Sequence, residues 1–272
     1  MSDNHIIGAL ELDKVISYVR SLQKETGGFG ATRRLPATIE DTFHGVAIFK
    51  FLAEQFSRPE QLAGCRDDAL LHKFIAGLWP GDTLDLKSVY QLFATAADLH
   101  APLDPVPVRK LAAQRLKQRP SLPTFYHAGL ILGKACAPLL EEQLGPNWPQ
   151  RLFPARHTCE EMMMGLTIIR AGGGPGAALP GNDLAAWFQE CQTADGGFGF
   201  LPGTTSFIEN SHFCLQALRL LDSQPRDLSG AVSFISGCQT LRGGFGRRGR
   251  AAPFLDATYH AMASLAILSE PL

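Results

Sequence analysis

The sequence contains no run of eighteen apolar residues, no closely spaced cysteine pair and no surplus of charge of either sign. The first absence excludes a membrane-spanning helix. The opening residues, MSDNHIIGALELDK, also lack the basic start and apolar stretch of a secretory leader, so the cytoplasm is the expected compartment. Six cysteines (Cys65, Cys136, Cys159, Cys191, Cys214 and Cys238) lie far apart with no CxxC among them. They read as buried thiols in a reducing environment rather than as a disulfide framework. A formal charge of -1 gives no global basic surface and argues against nucleic acid as a partner.

What is present is repetition. The 272 residues, 45% of them hydrophobic, can bury a sizeable core, and nearly the same words occur three times: QKETGGFG from Gln23, QTADGGFG from Gln192 and QTLRGGFG from Gln239. Thirteen residues after the first Gly of each copy stands a carboxylate, namely Glu40, Glu209 and Asp256. Two residues further on comes a hydroxyl (Thr42, Ser211, Thr258), then an aromatic or His, then a stretch apolar nearly all round. Such stretches are helices buried on most sides. Before each Gln the apolar residues recur at helical spacing with polar residues between, as at Val15, Val19 and Leu22, which marks amphipathic outer helices. Each unit is therefore an outer helix, a Gln- and Gly-rich turn, and an inner helix opening on an acid. The Gly pair suits the left-handed backbone of a helix terminus, and the following Phe is expected to plug between units.

Three degenerate copies lie between. One pairs an outer helix with a WPGD turn and an inner helix near Ser88 and Tyr90. The second matches through FYHAGLIL, and the third opens an inner helix at His157, Thr158 and Cys159. The Gly-rich AGGGPGAALPGN at 171–182 then joins units rather than domains. Six hairpins of this kind close into a ring. The expected fold is all-α, a single (α/α)6 toroid spanning residues 1–272, with 38–52, 207–221 and 254–268 on the inner ring.

The Gln-x-x-x-GGF turn followed by an inner helix resembles the repeat of the protein prenyltransferase β subunits and, more distantly, that of the squalene-hopene cyclases. The resemblance implies a central apolar funnel for an isoprenoid chain, with a prenyl diphosphate head near the rim where the inner helices start. It leaves the reaction open. In the transferases an Asp-x-Cys and a His from the last two repeats hold a catalytic zinc; the matching positions here are Glu209 and Ser211, then Asp256. With no thiolate or imidazole there, zinc is not expected at that place. The diphosphate-contacting His of the preceding repeat corresponds to His157, and the basic loop after a GGF turn corresponds to Arg247, Arg248 and Arg250, one repeat later than in the family. Arg33 and Arg34 follow the first turn similarly. Guanidinium forks suit phosphate oxygens, and an Arg-rich turn is equally a solvated loop.

The acids also carry two readings. Glu40, Glu209 and Asp256 can serve as helix-terminus residues that complement the dipole. Facing one cavity, they would raise one another's pKa and act as general acids, or with His157 hold an oxygen-preferring ion such as Mg²⁺. Asp41 in IEDT resembles the second half of the cyclases' DxDD, but no DxDD occurs, and one toroid's length is present where such enzymes commonly pair two. His44, His212 and His260 read as core histidines, and the EEMMMGL run as adaptable packing. Three functions follow: an enzyme that transfers or cyclises a prenyl group without zinc, an isoprenoid carrier, or a toroid that docks a protein partner as β subunits do.

Overall fold

The computed structural model describes residues 10–56, 62, 64, 66–78, 84–118, 121–153, 158–173 and 181–270. Cys65, the WPGD turn, His157 and residues 174–180 of the Gly-rich segment lie outside them. The described chain is helical, and the only β pairing in it is an isolated bridge at each of the three GGF turns.

Six helices form an inner ring: α2 (Ile39–Glu54), α4 (Leu86–Asp98), α6 (Leu122–Leu132), α9 (Cys159–Gly172), α11 (Ile208–Leu220) and α13 (Leu255–Ser269). Each packs against the next, and α13 packs against α2, which closes the ring. Outside them run α1 (Leu12–Arg20), α3 (Asp68–Leu78), α5 (Pro105–Leu116), α7 (Ala137–Leu144), α10 (Gly181–Glu190) and α12 (Leu228–Gly237), with a short α8 (Trp148–Arg151) before α9. The three inner helices anticipated by the repeat register fall within two residues of their expected limits.

The division into layers follows from side-chain pattern. On α1 the buried Leu12, Val15, Ile16 and Val19 form one face, whereas α2 buries Val46, Ala47, Ile48 and Phe49 consecutively. Only a helix covered on most sides can do the latter. A larger core cluster runs through the first, second, fourth, fifth and sixth units, and a second one, including Val89, Leu116, Phe125 and Ile168, joins the middle units. The five described cysteines are buried and free.

The repeated words act as joints between units. Gln192 donates to Gly196 O in its own turn (3.0 Å) and to Asp227 O (2.7 Å), while its Oε1 accepts the Asp227 amide (2.9 Å). Gln23 makes the same three bonds with Gly27 and Asp67, and Gln239 with Gly243 and Glu11. Each Gln thus ties its turn to the start of the next outer helix, and the last ties the sixth unit to the first. In the other direction, the residue after each GGFG accepts the first amide of the preceding inner helix: Cys159 to Phe200 (2.9 Å), Ile208 to Arg247 (3.0 Å) and Leu255 to Ala31 (3.4 Å). The Phe residues of the three turns are fully buried, as plugs must be.

Candidate functional site

The helix caps put the inner helices in one register. Thr38, Asp85 and Thr158 cap α2, α4 and α9 with side-chain bonds to backbone amides, and Ser121, Phe207 and Phe254 occupy the same position on α6, α11 and α13. Fifth residues touch fifth residues, as when Phe43 of α2 meets Tyr90 of α4 and Tyr259 of α13, so these helices run parallel with their amino ends at one rim. The second helical position around the rim then reads Glu40, Lys87, Pro123, Glu160, Glu209 and Asp256.

Three residues deeper lie Phe43, Tyr90, Tyr126, Met163, His212 and Tyr259, and next to them His44, Gln91, His127, Met164, Phe213 and His260. These side chains meet across helix boundaries. His44 stacks on Tyr259 at 4.5 Å, Tyr90 lies 6.0 Å from His127, and His212 lies 5.8 Å from Tyr259. Burial raises the pKa of Tyr126 on α6, and the phenols of Tyr90 and of Tyr259, on the opposite helix α13, add to the shift, as expected of side chains on the inner side of the ring. Phe43, Tyr90, Tyr126, Phe213, Tyr259 and His260, on the inner faces of their helices, remain only partly buried. The interior of the ring is filled by aromatic rings and imidazoles.

Burial keeps the imidazoles neutral. It pushes His44 and His212 down to about 4 and His260 well below its ordinary value. The Nδ1 atoms of His212 and His260 are 2.8 Å apart, so one donates and the other accepts, and the two rings hold opposite tautomers. His44 Nδ1 is buried without a hydrogen bond.

The residues singled out from sequence distribute around the rim. Glu40 and Asp256 line one pocket of about 580 Å³. Asp41 lines it too and is otherwise buried: its carboxylate accepts from Thr38 Oγ1 (2.7 Å), and burial raises its pKa, with Glu40 and Asp256 adding to the shift. Glu209 instead pairs with Arg247, and its Oε2 is buried without a partner. Arg247 and Arg248 both lie over the Phe207 ring, at 5.0 and 5.7 Å. Arg248 and Arg250 line a separate open groove of about 700 Å³ with Asp195 and Phe234. His157 lies outside the described residues. Among the described residues no three His, Cys, Asp or Glu side chains converge into a metal set.

Sequence reading missed Lys87, which bonds Glu40 at 2.6 Å and lines the same pocket, and Glu160, whose pKa burial raises. The signal was present: each stands two residues after a capping Asp85 or Thr158, in the register of the acids.

A closed ring of six inner helices inside six outer ones, with a charged rim above an aromatic interior, defines an α/α toroid. The chain matches the prenyltransferase alpha-alpha toroid domain over residues 4–96, 177–208 and 205–272, and it belongs to that family. The unmatched stretch holds the third and fourth units, where the GGF turn is absent. No curated protein matches the sequence. No helix among the described residues is long and apolar enough to cross a membrane.

Proposed function

We propose that the protein handles an isoprenoid, with the apolar chain along the inner faces of the ring and a diphosphate head on the arginine side of the rim, near Arg247, Arg248, Arg250 and His157. It transfers or cyclises the prenyl group without the zinc of the protein prenyltransferases. The aromatic side chains on the inner faces of the ring carry this reading. The ring faces of Phe43, Tyr90, Tyr126 and Tyr259 offer a large apolar wall to an unsaturated chain and a negative quadrupole to cationic character developing at an allylic carbon. The arginines supply the forks that bind a departing diphosphate. Burial keeps His44 neutral and a weak base, so Asp41, its pKa raised by burial, is the rim group that holds a proton more readily than an exposed acid.

The case against zinc rests on Ser211. Its hydroxyl accepts the Phe198 amide (3.1 Å) and donates to Phe207 O (3.0 Å), as Thr42 and Thr258 do in their own repeats. A hydroxyl engaged at both ends by backbone does not fit a zinc ligand.

A second reading, a toroid that binds a chain or a protein partner without chemistry, is favoured by the closeness of the rings across the axis. Calorimetry with geranyl, farnesyl and geranylgeranyl diphosphates and their alcohols, with and without Mg²⁺, separates the two. Affinity should rise with chain length, since each buried methylene contributes about 0.8 kcal/mol. Arg248→Ala should weaken the diphosphates about tenfold, as expected for a charge-assisted bond of roughly 1.5 to 3 kcal/mol, and leave the alcohols unchanged. Release of inorganic diphosphate marks the enzyme, and binding without release marks the carrier. Equal failure of all six compounds to bind overturns the isoprenoid reading.

A further inference from the structure

The carboxylates of the rim are not equivalent, and the reason lies in the joints. The residue after each GGFG sits beside the acid of the preceding inner helix. For Glu209 that residue is Arg247, which neutralises it; for Asp256 it is Ala31, which cannot. Asp256 makes no ion pair among the described residues. The pocket it lines, where α2, α4 and α13 meet, also presents Glu40, Asp41 and Asp85 against a single ammonium, that of Lys87, itself bonded to Glu40.

A second feature points to a ligand. His44 lines this pocket, is 5% exposed, and has its Nδ1 buried with no hydrogen-bond partner. A buried polar nitrogen left unpaired is costly, and a bound molecule that reaches the imidazole relieves that cost. Phe254, 40% exposed, brings an aromatic ring to the edge of the same pocket. The wall thus offers acceptors in excess, a net negative charge and an aromatic face.

We propose that this pocket binds an organic cation bearing an ammonium or guanidinium group, with the charge at Asp256 and Glu40, the body against Phe254 and a polar atom near His44. Such a ligand reaches acceptors that stand apart, each through its own N–H, whereas a bare metal ion needs them to converge, and here no three do. The site stands whether or not an isoprenoid enters the ring.

The test is calorimetric titration of the full chain with putrescine, spermidine and agmatine, against hexanol and inorganic diphosphate as neutral and anionic controls. Saturable binding of at least one amine and none of hexanol is expected. Asp256→Asn should weaken that amine at least tenfold, and His44→Gln several-fold, in variants whose helical circular dichroism matches the parent. Should His44→Gln fail to fold, Glu40→Gln replaces it, with a several-fold loss expected. No binding of any amine, or amine binding indifferent to Asp256→Asn, overturns the proposal. So does an amine displaced by diphosphate, since that would place both in one site. None of these outcomes bears on whether prenyl compounds bind, which is read separately with those compounds alone.

Discussion

At the scale of single residues, the hydroxyl that follows each rim acid is a lock on the GGF turn. Ser211 joins the Phe198 amide to the first turn of α11, both groups being buried. Ser211→Ala leaves that amide without a partner, so urea unfolding should show a loss of about 1 to 3 kcal/mol. Ser211→Thr, which restores the hydroxyl found in the other two repeats, should recover most of it. The imidazoles inside the ring give a different signature. Their folded pKa values, about 4 for His44 and His212, lie below the unfolded value of 6.5, so the unfolded chain takes up protons first on acidification. The stability from keeping them neutral is complete above about pH 6.5 and is lost as pH falls toward 4. The raised Asp41 gives a slope of opposite sign. Urea midpoints should drop between pH 7 and pH 5, and His44→Gln should flatten that drop. An unchanged slope in the variant would mean that His44 is not held neutral by the fold.

At the scale of elements, the glycines of the turn are set by the helix that packs on them. A methyl on Gly196 would overlap the Gly230 carbonyl of α12, and one on Gly243 would overlap the Lys14 carbonyl of α1; both glycines have positive φ, +88° and +95°. Gly203 also has a positive φ, +79°, but open space around it. Gly203→Ala should therefore cost only the backbone term, about 1 to 2 kcal/mol. Gly196→Ala must also displace an outer helix and should exceed about 4 kcal/mol, measured by chemical denaturation of the two variants side by side. This contrast shows what the sequence could and could not reveal. The three-fold spacing from Gly27, Gly196 and Gly243 to the acids was legible because a joint used three times must keep its length. The middle units were only partly legible, because their caps Asp85 and Thr158 survive while the GGF word does not, and Lys87 was hidden with them. The pairing of Arg247 with Glu209 was not legible at all. It depends on a carbonyl contact between consecutive units, which no spacing within one unit encodes.

At the scale of the whole molecule, the difference between a ring and an open stack is what happens at the ends. In a stack each unit touches its neighbours, and the terminal units fray. Here the bonds that Gln23 and Gln192 make to the following outer helix are repeated by Gln239 to Glu11, 228 residues away in sequence, and Leu255 reaches Ala31 in the same closing sense. Tyr18 of α1 completes the joint: a methyl on Gly244 would strike its ring, as one on Gly197 would strike Phe234. Gln192→Ala and Gln239→Ala remove matching bonds and, if only local energy counted, would have matching effects. Their consequences should differ in where the chain opens. Loss of Gln192 leaves α12 held by its own turn and by the units on either side. Loss of Gln239 loosens α1, whose tie to the sixth unit runs through this joint. Native-state hydrogen exchange should therefore show faster exchange across α1 in Gln239→Ala, with α12 unaffected, and modest local acceleration near residues 192–197 and 227–230 in Gln192→Ala. Equal protection of α1 in the two variants would show that the ring is closed by the contact of α13 with α2 alone, and that the sixth turn is not its clasp.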